Sequence, residues 1–416
     1  MAERPVPSDD PLVTDAGGGA RRTRFEDKKQ RILDVATVLL NERGVTGMTF
    51  QEVAQALSLK TTSVIYYFRY KELLAAAVLE DSIERLHAMV REAGTEPTPE
   101  ARVEKYLALF FDRTARSLRK EMRPLANFSE IRALDEEYRL PLIAQYQALF
   151  RDVREFFGTS DDPDRKRVLT ARTQLLNESL FWATFWLPHY ALGDFDSVRR
   201  RMFDILREGI GAKGLESRAC PLTLEEALDA APLQSPFMRI ATRLINEHGY
   251  KGASVDSIMR EMNLTKGSFY HHNEAKDDLI LECFRESYRR LTRLQIAVDA
   301  RGGTRWQRLE NGIASVLVLQ FASDHPLLRS TALQAMPAAL RAEALELSNR
   351  EALWLAGALL DGMREGSVRL IDPAIAGHII MSTINSAYDV RGWAAGQPLE
   401  LAVSRFAGLL TKGIFD

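Results

Sequence analysis

Apolar residues recur with a helical period along most of the chain, and no alternating run of useful length points to a sheet. One helical face, at i, i+3, i+4, i+7 and i+8, is formed by Ile32, Val35, Ala36, Leu39 and Leu40. A glycine, the residue type that commonly ends helices, follows at Gly44. The pattern predicts an all-α protein.

Two shorter helical segments follow this first stripe. Thr49 precedes an apolar stripe over residues 50–57, and Glu52 stands three positions after it, which is the pattern of a capping box. The residues Ser-Leu-Lys at 58–60 then turn the chain into a third segment over residues 61–68. Short helices joined by a tight turn predict a helix-turn-helix unit.

The chain contains an internal repeat. Residues 36–44 read ATVLLNERG and residues 241–249 read ATRLINEHG, an offset of 205 positions. The ends also match, because ILREGI at 205–210 corresponds to LLTKGI at 409–414 with an offset of 204. Two copies that begin and end in step indicate duplication and fusion of a unit of about 200 residues.

The repeat and the breaks in periodicity predict six segments. A polar, glycine-containing start reads as a disordered leader, and prolines between the copies mark a linker with a short helical stretch. The predicted segments are a leader at 1–20, a helix-turn-helix domain at 21–75, a helical ligand-binding and dimerisation domain at 76–211, a linker at 212–235, a second helix-turn-helix domain at 236–280 and a second helical domain at 281–416.

The third short helix of each copy carries small polar and aromatic residues that suit the major groove of DNA. In the first copy these residues are Thr61, Thr62, Ser63, Tyr66 and Tyr67. In the second copy they are Lys266, Gly267, Ser268, Tyr270, His271 and His272. A polar face of a plain helical bundle is the alternative explanation for either copy alone. The same pattern occurs twice in one chain, and this repetition favours DNA binding.

Both copies resemble the DNA-binding domain of TetR-family transcriptional regulators, through KTTSVIYYFRYKELL at 60–74 and TKGSFYHHNEAKDDL at 265–279. The resemblance implies two DNA-binding domains, each followed by a helical bundle with a ligand cavity and a dimer face. The candidate DNA contacts include helix-capping residues, residues expected to contact phosphates and a basic arm. In the first copy they are Arg21, Arg22, Arg24, Thr49, Lys60, Thr61, Thr62, Ser63, Tyr66, Tyr67 and Lys71. Those of the second are Ser254, Thr265, Lys266, Gly267, Ser268, Tyr270, His271, His272 and Lys276.

The two copies depart from the family pattern in different ways. The first has Thr61-Thr62 where the family prefers Lys-Gly, and the second has Asn273 where the first keeps the anchoring Phe68. Basic residues outnumber acidic ones from Arg21 to Glu72 but only balance them from Pro236 to Asp278. The two DNA-binding domains are therefore expected to be unequal, with the first copy the stronger electrostatic anchor.

Composition removes several other classes. Lys and Arg total 55 against 57 Asp and Glu, Cys220 and Cys283 are the two cysteines, and no apolar run approaches a membrane span of about 20 residues. We therefore expect a cytoplasmic protein without membrane association. His271-His272 lacks further ligands at metal-binding spacing, so no metal or cofactor is expected. The catalytic motifs we sought have no match, which predicts a protein that is not an enzyme.

The stretch SLFWATFWLPHY at 179–190 is rich in aromatic residues. Phe181 and Phe185 share one helical face, and Trp182 and Trp186 share another, so one pair can serve a cavity and the other a dimer face. The candidate ligand-binding residues are Phe110, Tyr146, Phe150, Trp182, Trp186, Trp306, Phe321, Trp354 and Tyr388. Such a lining suits a small apolar or aromatic ligand, although ordinary core packing remains the alternative for each residue.

Together these features predict a DNA-binding transcriptional regulator, in the family's commonest mode a ligand-responsive repressor. Because one chain carries both DNA-binding domains, we expect a single-chain pseudo-dimer on double-stranded operator DNA with two unequal half-sites. A homodimer of such chains remains possible. A helical small-molecule-binding protein with degenerate DNA-binding domains is the main alternative, and a helical enzyme is a more remote one.

Overall fold

A computed structural model describes residues 16–215, 219–232, 235–263, 276–324, 326–328 and 338–415. Throughout these ranges the regular structure is helical, and one isolated bridge pairs Gly211 with Val368. The all-α prediction is confirmed. Within the same ranges, no helix combines the length and apolar character that a bilayer crossing needs.

The described part of the first half contains eight α-helices. They are α1 (Ala16–Gly47), α2 (Phe50–Ala56), α3 (Thr61–Tyr67), α4 (Lys71–Gly94), α5 (Pro99–Leu118), α6 (Glu136–Arg154), α7 (Pro163–Trp186) and α8 (Phe195–Glu208). Short 3-10 helices lie at Phe128–Ala133, Glu155–Phe157, Leu187–His189 and Leu192–Asp194. The first helix begins at Ala16, five residues inside the segment predicted as a leader, and bends at Gly44, whose φ is 69°.

The described part of the second half contains nine further α-helices. They are α9 (Leu224–Ala230), α10 (Pro236–Gly252), α11 (Val255–Glu261), α12 (Lys276–Asp299), α13 (Arg305–Ala322), α14 (Ala338–Glu365), α15 (Pro373–Ser386), α16 (Arg391–Ala395) and α17 (Leu399–Lys412). A short 3-10 helix at Ala387–Val390 joins α15 to α16.

The segment predicted as a linker packs along the second half. The amide of Leu222 donates to the Ser315 hydroxyl at 2.9 Å, and the Arg290 Nε donates to the Ala231 carbonyl at 3.0 Å. A capping box starts α9, in which the Thr223 side chain accepts from the Glu226 amide. Leu222, Ala227 and Ala231 are buried, so the segment packs on the core of the second half through these three side chains.

The two halves contact each other through α7 and α8 of the first half and α15 and α17 of the second. At the centre, the Ile210 amide donates to the Leu410 carbonyl at 2.8 Å, and the Ile414 amide donates to the Leu206 carbonyl at 2.8 Å. Each residue of one bond is offset by 204 positions from its counterpart in the other. Such exchange of roles is the signature of a twofold, isologous contact.

Further contacts between the halves surround this centre. The Ser179 and Ser382 hydroxyl oxygens lie 3.4 Å apart in a buried position. The ring of Trp186 stacks on His378, with centroids 5.1 Å apart and planes 6° from parallel. At the edge, the ion pairs Arg201–Asp372 and Arg405–Asp164 join the halves over 3.0 and 3.5 Å. The interface therefore has a packed centre and a charged rim.

Candidate DNA interface and ligand cavity

The start of α2 is held by the predicted cap. The Thr49 hydroxyl accepts from the Glu52 amide at 3.3 Å and donates to the Glu52 carboxylate at 2.8 Å. Arg43 pairs with the same carboxylate from α1. Thr49 therefore fixes the helix start, and its exposed position also leaves it at the surface where DNA would lie.

The turn between α2 and α3 directs α3 outward. Ser58 adopts a left-handed conformation with φ 55°, and the Leu59 amide donates to the Ala54 carbonyl at 2.8 Å. Val64 is fully buried and anchors α3 to the domain core. Lys60, Thr62, Ile65 and Tyr66 are exposed on the outer side, and Thr61 and Ser63 are half-buried. The α3 surface thus offers ammonium, hydroxyl and aromatic groups to solvent.

Tyr66 and Tyr67, both predicted DNA contacts, occupy different environments. Tyr66 is 75% exposed. The ring of Tyr67 packs on Phe25 with centroids 4.7 Å apart, and burial raises the pKa of its hydroxyl. Phe25 was missed in the sequence analysis, although it lies seven residues before Ile32 and thus on the same face of α1. Tyr67 therefore holds α1 and α3 together as well as bordering the surface.

The basic residues around this domain divide into two groups. Lys71, at the first position of α4, is half-buried and donates from Nζ to the Thr46 carbonyl at 3.1 Å. The sequence predicts an arm ahead of the first helix that contains Arg21, Arg22 and Arg24. The backbone of these three residues instead belongs to α1. A helix start at Ala16 explains the difference, because it takes these arginines into α1.

The second DNA-binding domain is described over α10 and α11. The Ser254 hydroxyl accepts from the Ser257 amide at 3.0 Å and caps α11, as the sequence pattern predicts. Seven predicted DNA contacts lie outside the described residues: Thr265, Lys266, Gly267, Ser268, Tyr270, His271 and His272. Lys276 begins α12, and its side chain is likewise outside the description.

A cavity of about 350 Å³ lies in the first-half bundle, within the range of about 300–1,000 Å³ typical of ligand pockets. Three predicted ligand contacts, Phe110, Tyr146 and Phe150, line it. Of the aromatic stretch at 179–190, Phe181 and Phe185 face the cavity. Burial raises the pKa of the Tyr146 hydroxyl, so the phenol stays neutral. Seven aromatic side chains thus contribute to the wall, together with aliphatic and polar ones.

The other predicted ligand contacts do not line this cavity. Trp186 is 3% exposed and stacks on His378 of the other half, so the tryptophan face of α7 serves the interface rather than the cavity. Trp182 is buried beside Phe185, with ring centroids 5.3 Å apart. Of the two aromatic pairs on α7, the phenylalanine pair therefore lines this cavity and the tryptophan pair does not.

The four candidates from the second half are also placed elsewhere. Trp306 is fully buried in the core, and Phe321 packs against Trp393 and Phe406. Trp354 is 42% exposed, with the Arg305 guanidinium 5.9 Å from its ring centroid. Tyr388 lies under the Arg391 guanidinium, 5.3 Å from the ring centroid. These side chains therefore pack in the core or at the surface.

The wall of the cavity is hydrogen-bonded to the first DNA-binding domain. Asn41 on α1 donates from Nδ2 to the Leu125 carbonyl at 2.8 Å and accepts from the Asn127 amide at 2.8 Å. All three residues line the cavity. Asn41 was not predicted to act here, although its repetition as Asn246 was a signal. The cavity wall is therefore hydrogen-bonded directly to α1.

A charged network runs beside this contact. The Arg123 guanidinium pairs with Asp34 on α1 at 2.8 Å and with Asp81 on α4. Arg113, which lines the cavity, donates from Nη2 to the Arg123 carbonyl at 3.4 Å. Burial, with Arg85 and Arg123 nearby, lowers the pKa of Arg113 to about 10, so it remains a cation at neutral pH.

No group of three or more His, Cys, Asp or Glu side chains suited to a metal ion occurs among the described residues. Cys283 is buried, and burial raises the pKa of its thiol to about 12. A thiol with such a pKa is protonated at neutral pH and is a poor nucleophile. Cys283 is therefore a core residue rather than a reactive thiol.

The described geometry places a helix-turn-helix unit, α1 to α3, on a helical bundle, and the helices α10 and α11 on a second bundle. The family model described as bacterial regulatory proteins, tetR family, matches residues 32–78 and again residues 238–283. The chain therefore carries two segments that match the amino-terminal domain of this family.

Individual relatives match smaller parts of the chain. An uncharacterized HTH-type transcriptional regulator in the dhlA 5′ region of Xanthobacter autotrophicus is 38% identical over 58 residues, which are 14% of this chain and 29% of that protein. The chain thus spans under a third of the length of this relative.

Two solved structures each align with part of the chain. The TetR family transcriptional regulator PfmR from Thermus thermophilus is 20% identical, with a TM-score of 0.32 over 42% of this chain and 96% of that one. A TetR/AcrR family regulator from Thermobifida fusca is also 20% identical, with a TM-score of 0.29 over 43% of this chain and 96% of that one.

Proposed function

We propose that the chain is a sequence-specific DNA-binding regulator of transcription that works as a single-chain pseudo-dimer. The double match to the family's amino-terminal domain supports DNA binding. The reciprocal hydrogen bonds Ile210–Leu410 and Ile414–Leu206 carry the pseudo-dimer part of the proposal. One folded chain then presents both DNA-binding domains to double-stranded operator DNA, with the helical bundles holding their relative position.

Each DNA-binding domain reads its own half-site in this proposal. The first carries Thr61-Thr62-Ser63 at the start of its recognition helix, whereas the second carries Lys266-Gly267-Ser268. Different groups at these positions prefer different base edges. The operator is therefore an imperfect palindrome or an asymmetric site, with its half-sites about one DNA turn, roughly 34–36 Å, apart.

Ligand binding in the first-half cavity regulates DNA binding. A ligand lowers operator affinity to the extent that it binds better to the conformation unsuited to DNA. The contacts Asn41–Leu125 and Arg123–Asp34 join the cavity wall to α1, so that conformation includes a displaced first DNA-binding domain. The protein in this proposal is a repressor whose ligand relieves repression, with its activity in the cytoplasm.

Footprinting on the DNA upstream of its own coding sequence tests the proposal, together with the mass of the protein in solution on and off that DNA. One chain protecting two unequal half-sites about a turn apart is the expected result. Two chains on one operator would contradict the pseudo-dimer but not DNA binding. An absence of protection at low salt would refute regulation through DNA and favour a small-molecule-binding protein with degenerate DNA-binding domains.

A further inference from the structure

Several polar side chains that line the cavity of the first-half bundle already bond within the protein. The Thr114 hydroxyl donates to the Phe110 carbonyl at 2.8 Å, and the Thr184 hydroxyl donates to the Phe181 carbonyl at 2.7 Å. In both cases the acceptor belongs to the same helix as the threonine. The protons of these two hydroxyls are therefore not available to a ligand.

The charges in and around the lining favour an uncharged ligand. Arg113 donates to a backbone carbonyl at 3.4 Å, and Arg341 has an interaction partner of its own. The surroundings of Tyr146 are negative, because the charges of Glu178 and Asp389 add to burial in raising the pKa of its hydroxyl. An anionic group of a ligand beside this hydroxyl would be opposed by the same charges and by the same loss of water.

Tyr146 on α6 and Asn177 on α7 differ from the other polar groups. Both line the cavity, and neither side chain has a hydrogen-bond partner among the described residues. The Tyr146 side chain is 38% exposed although burial raises the pKa of its hydroxyl, so its accessible surface faces the cavity rather than open solvent. A phenol donates one hydrogen bond, and a carboxamide donates two. These donors remain for a ligand.

An apolar molecule that filled the cavity would separate the phenol and the carboxamide from water without replacing their hydrogen bonds, which is unfavourable. A site with such groups selects a ligand that supplies the hydrogen bonds and rejects the analogue of similar shape that cannot. Five phenylalanine rings of the lining provide the apolar contacts for the rest of the ligand: Phe110, Phe128, Phe150, Phe181 and Phe185.

We infer that the cavity binds an uncharged aromatic compound with a carbonyl oxygen, which accepts hydrogen bonds from the Tyr146 hydroxyl and the Asn177 carboxamide while the rings pack on the phenylalanine side chains. This inference rests on the proposed function, for which it gives the chemical class of the ligand. The Tyr146 ring packs on Phe128 with centroids 5.5 Å apart, and the preceding Asn127 donates to Asn41 on α1. The carbonyl group thus lies beside the loop that is bonded to the first DNA-binding domain.

Equilibrium dialysis of the full chain without DNA tests the inference. The probes are 2-acetylnaphthalene, 2-isopropylnaphthalene and 2-naphthoate, which share a ring system and a similar shape but carry a ketone, a hydrocarbon group and a carboxylate. Dividing the affinities of the two uncharged probes by their octanol–water partition coefficients removes the difference in apolar driving force. The ketone is then expected to bind about ten-fold or more tightly than the hydrocarbon. Without this correction, it should also bind more tightly than the carboxylate.

Two substitutions that change the side-chain volume little remove the proposed hydrogen bonds. Tyr146→Phe and Asn177→Leu should each reduce the corrected preference for the ketone about three-fold or more. Tyr138→Phe is the matched control, because Tyr138 lies on the same helix as Tyr146 but outside the cavity lining, and it should keep the full preference. Circular dichroism checks folding, and Asn177→Leu keeps the test decisive if Tyr146→Phe does not fold.

Four results would overturn the inference. They are an equal corrected affinity for ketone and hydrocarbon, tighter binding of the carboxylate than of the ketone, no binding of any probe, and a ketone preference that is unchanged in both variants.

The outcome is separable from that of the footprinting experiment. Protection of DNA by a chain without ketone preference would remove this inference and leave the proposed function. A ketone preference that depends on Tyr146 and Asn177, in a chain that does not bind DNA, would support the carbonyl site and remove the proposed function.

Discussion

Asn41 Nδ2 lies 2.8 Å from the Leu125 carbonyl, and the repeat reproduces this contact as Asn246 Nδ2 at 3.0 Å from the Leu327 carbonyl. In each half, an asparagine near the end of the first helix of the DNA-binding domain thus bonds to a loop of the bundle. This loop follows α5 in the first half and α13 in the second. The first of these contacts belongs to a cavity wall. The repeated asparagine therefore fixes each DNA-binding domain to its own bundle.

Replacement of Asn41 by Ala should loosen the first DNA-binding domain from the bundle. The Leu125 carbonyl and the Asn127 amide then lose a hydrogen-bond partner, which should lower the free energy of unfolding by about 1–3 kcal/mol. Because the Asn127 amide donates to Asn41 Oδ1, hydrogen exchange of the peptide that contains Asn127 should accelerate. Gln30→Ala removes a side-chain contact on the same helix, to Asp34, and should leave that exchange unchanged. Equal exchange in both variants would refute the role of Asn41.

Replacement of Gly209 or Gly413 by Ala should disrupt the contact between the halves. Both glycines have positive φ, 70° and 93°, and an added Cβ would lie 2.2 Å from the Thr411 carbonyl oxygen or 2.3 Å from that of Arg207. Conformational strain and overpacking together are expected to cost about 2–5 kcal/mol. Thermal unfolding of each variant measures the loss.

Gly158→Ala separates these two effects. Gly158 also has positive φ, 104°, but an added Cβ there meets no atom within 4 Å. It should therefore cost only the strain of a left-handed residue, about 1–2 kcal/mol. If Gly209→Ala and Gly158→Ala unfold at equal temperatures, close packing of the two halves at Gly209 is not a source of stability.

The sequence identified the interface helices well but not the choice of their faces. The resemblance to TetR-family regulators places the interface helices at roughly 164–187, 198–210, 373–393 and 399–413, close to α7, α8, α15 and α17 of the structure. Spacing of i and i+4 also paired Phe181 with Phe185 and Trp182 with Trp186. Spacing along one helix does not tell which face meets the cavity and which the other half, because that depends on helices distant in sequence.

The charged and polar parts of the cavity were missed for a related reason. Arg113 and Arg341 are more than two hundred residues apart and share a lining only in the folded chain. In the sequence each is one arginine on an amphipathic helix, and most such arginines are solvated. Asn41 was visible as a repeated residue, but its partner carbonyl at Leu125 carries no side-chain signal at all.

Two exposed residues at the start of the first recognition helix should affect DNA binding differently. Lys60 is expected to contact phosphate, so Lys60→Ala should weaken binding to all sequences alike and reduce the slope of log affinity against log salt by about one. Thr62 is expected to contact a base edge, so Thr62→Ala should cost about 1–3 kcal/mol on the operator and relax the preference at one position. Titrations on the footprinted operator and a scrambled fragment at several salt concentrations distinguish these effects.

Ser58 provides the control for these two substitutions. It is exposed in the turn before α3, and it is not among the predicted DNA contacts. Its positive φ of 55° makes Ser58→Asn the suitable change, because asparagine tolerates that conformation. That variant should keep both affinity and salt slope within two-fold. An unchanged salt slope in Lys60→Ala would exclude the phosphate contact.

Acidification should weaken the contact between the halves through His378. Burial, with His189 nearby, lowers the pKa of His378 to about 4, while Asp372 acts in the opposite direction. The unfolded chain, with a histidine pKa of about 6.5, therefore binds a proton between pH 6.5 and 4 that the folded chain does not. Stability contributed by the neutral ring is present above about pH 6.5 and is lost as pH falls toward 4.

The expected loss between pH 7 and pH 5 is about 2 kcal/mol, with a corresponding fall in unfolding temperature. His378→Phe keeps an aromatic ring against Trp186 but removes the titration, so it should reduce the difference in unfolding temperature between pH 7 and pH 5. His248→Gln, at an exposed histidine of α10, serves as the control and should keep the full difference. If the His378→Phe and unmodified chains lose equal stability on acidification, other groups account for the pH dependence of stability, and the stacked pair Trp186–His378 does not contribute to it.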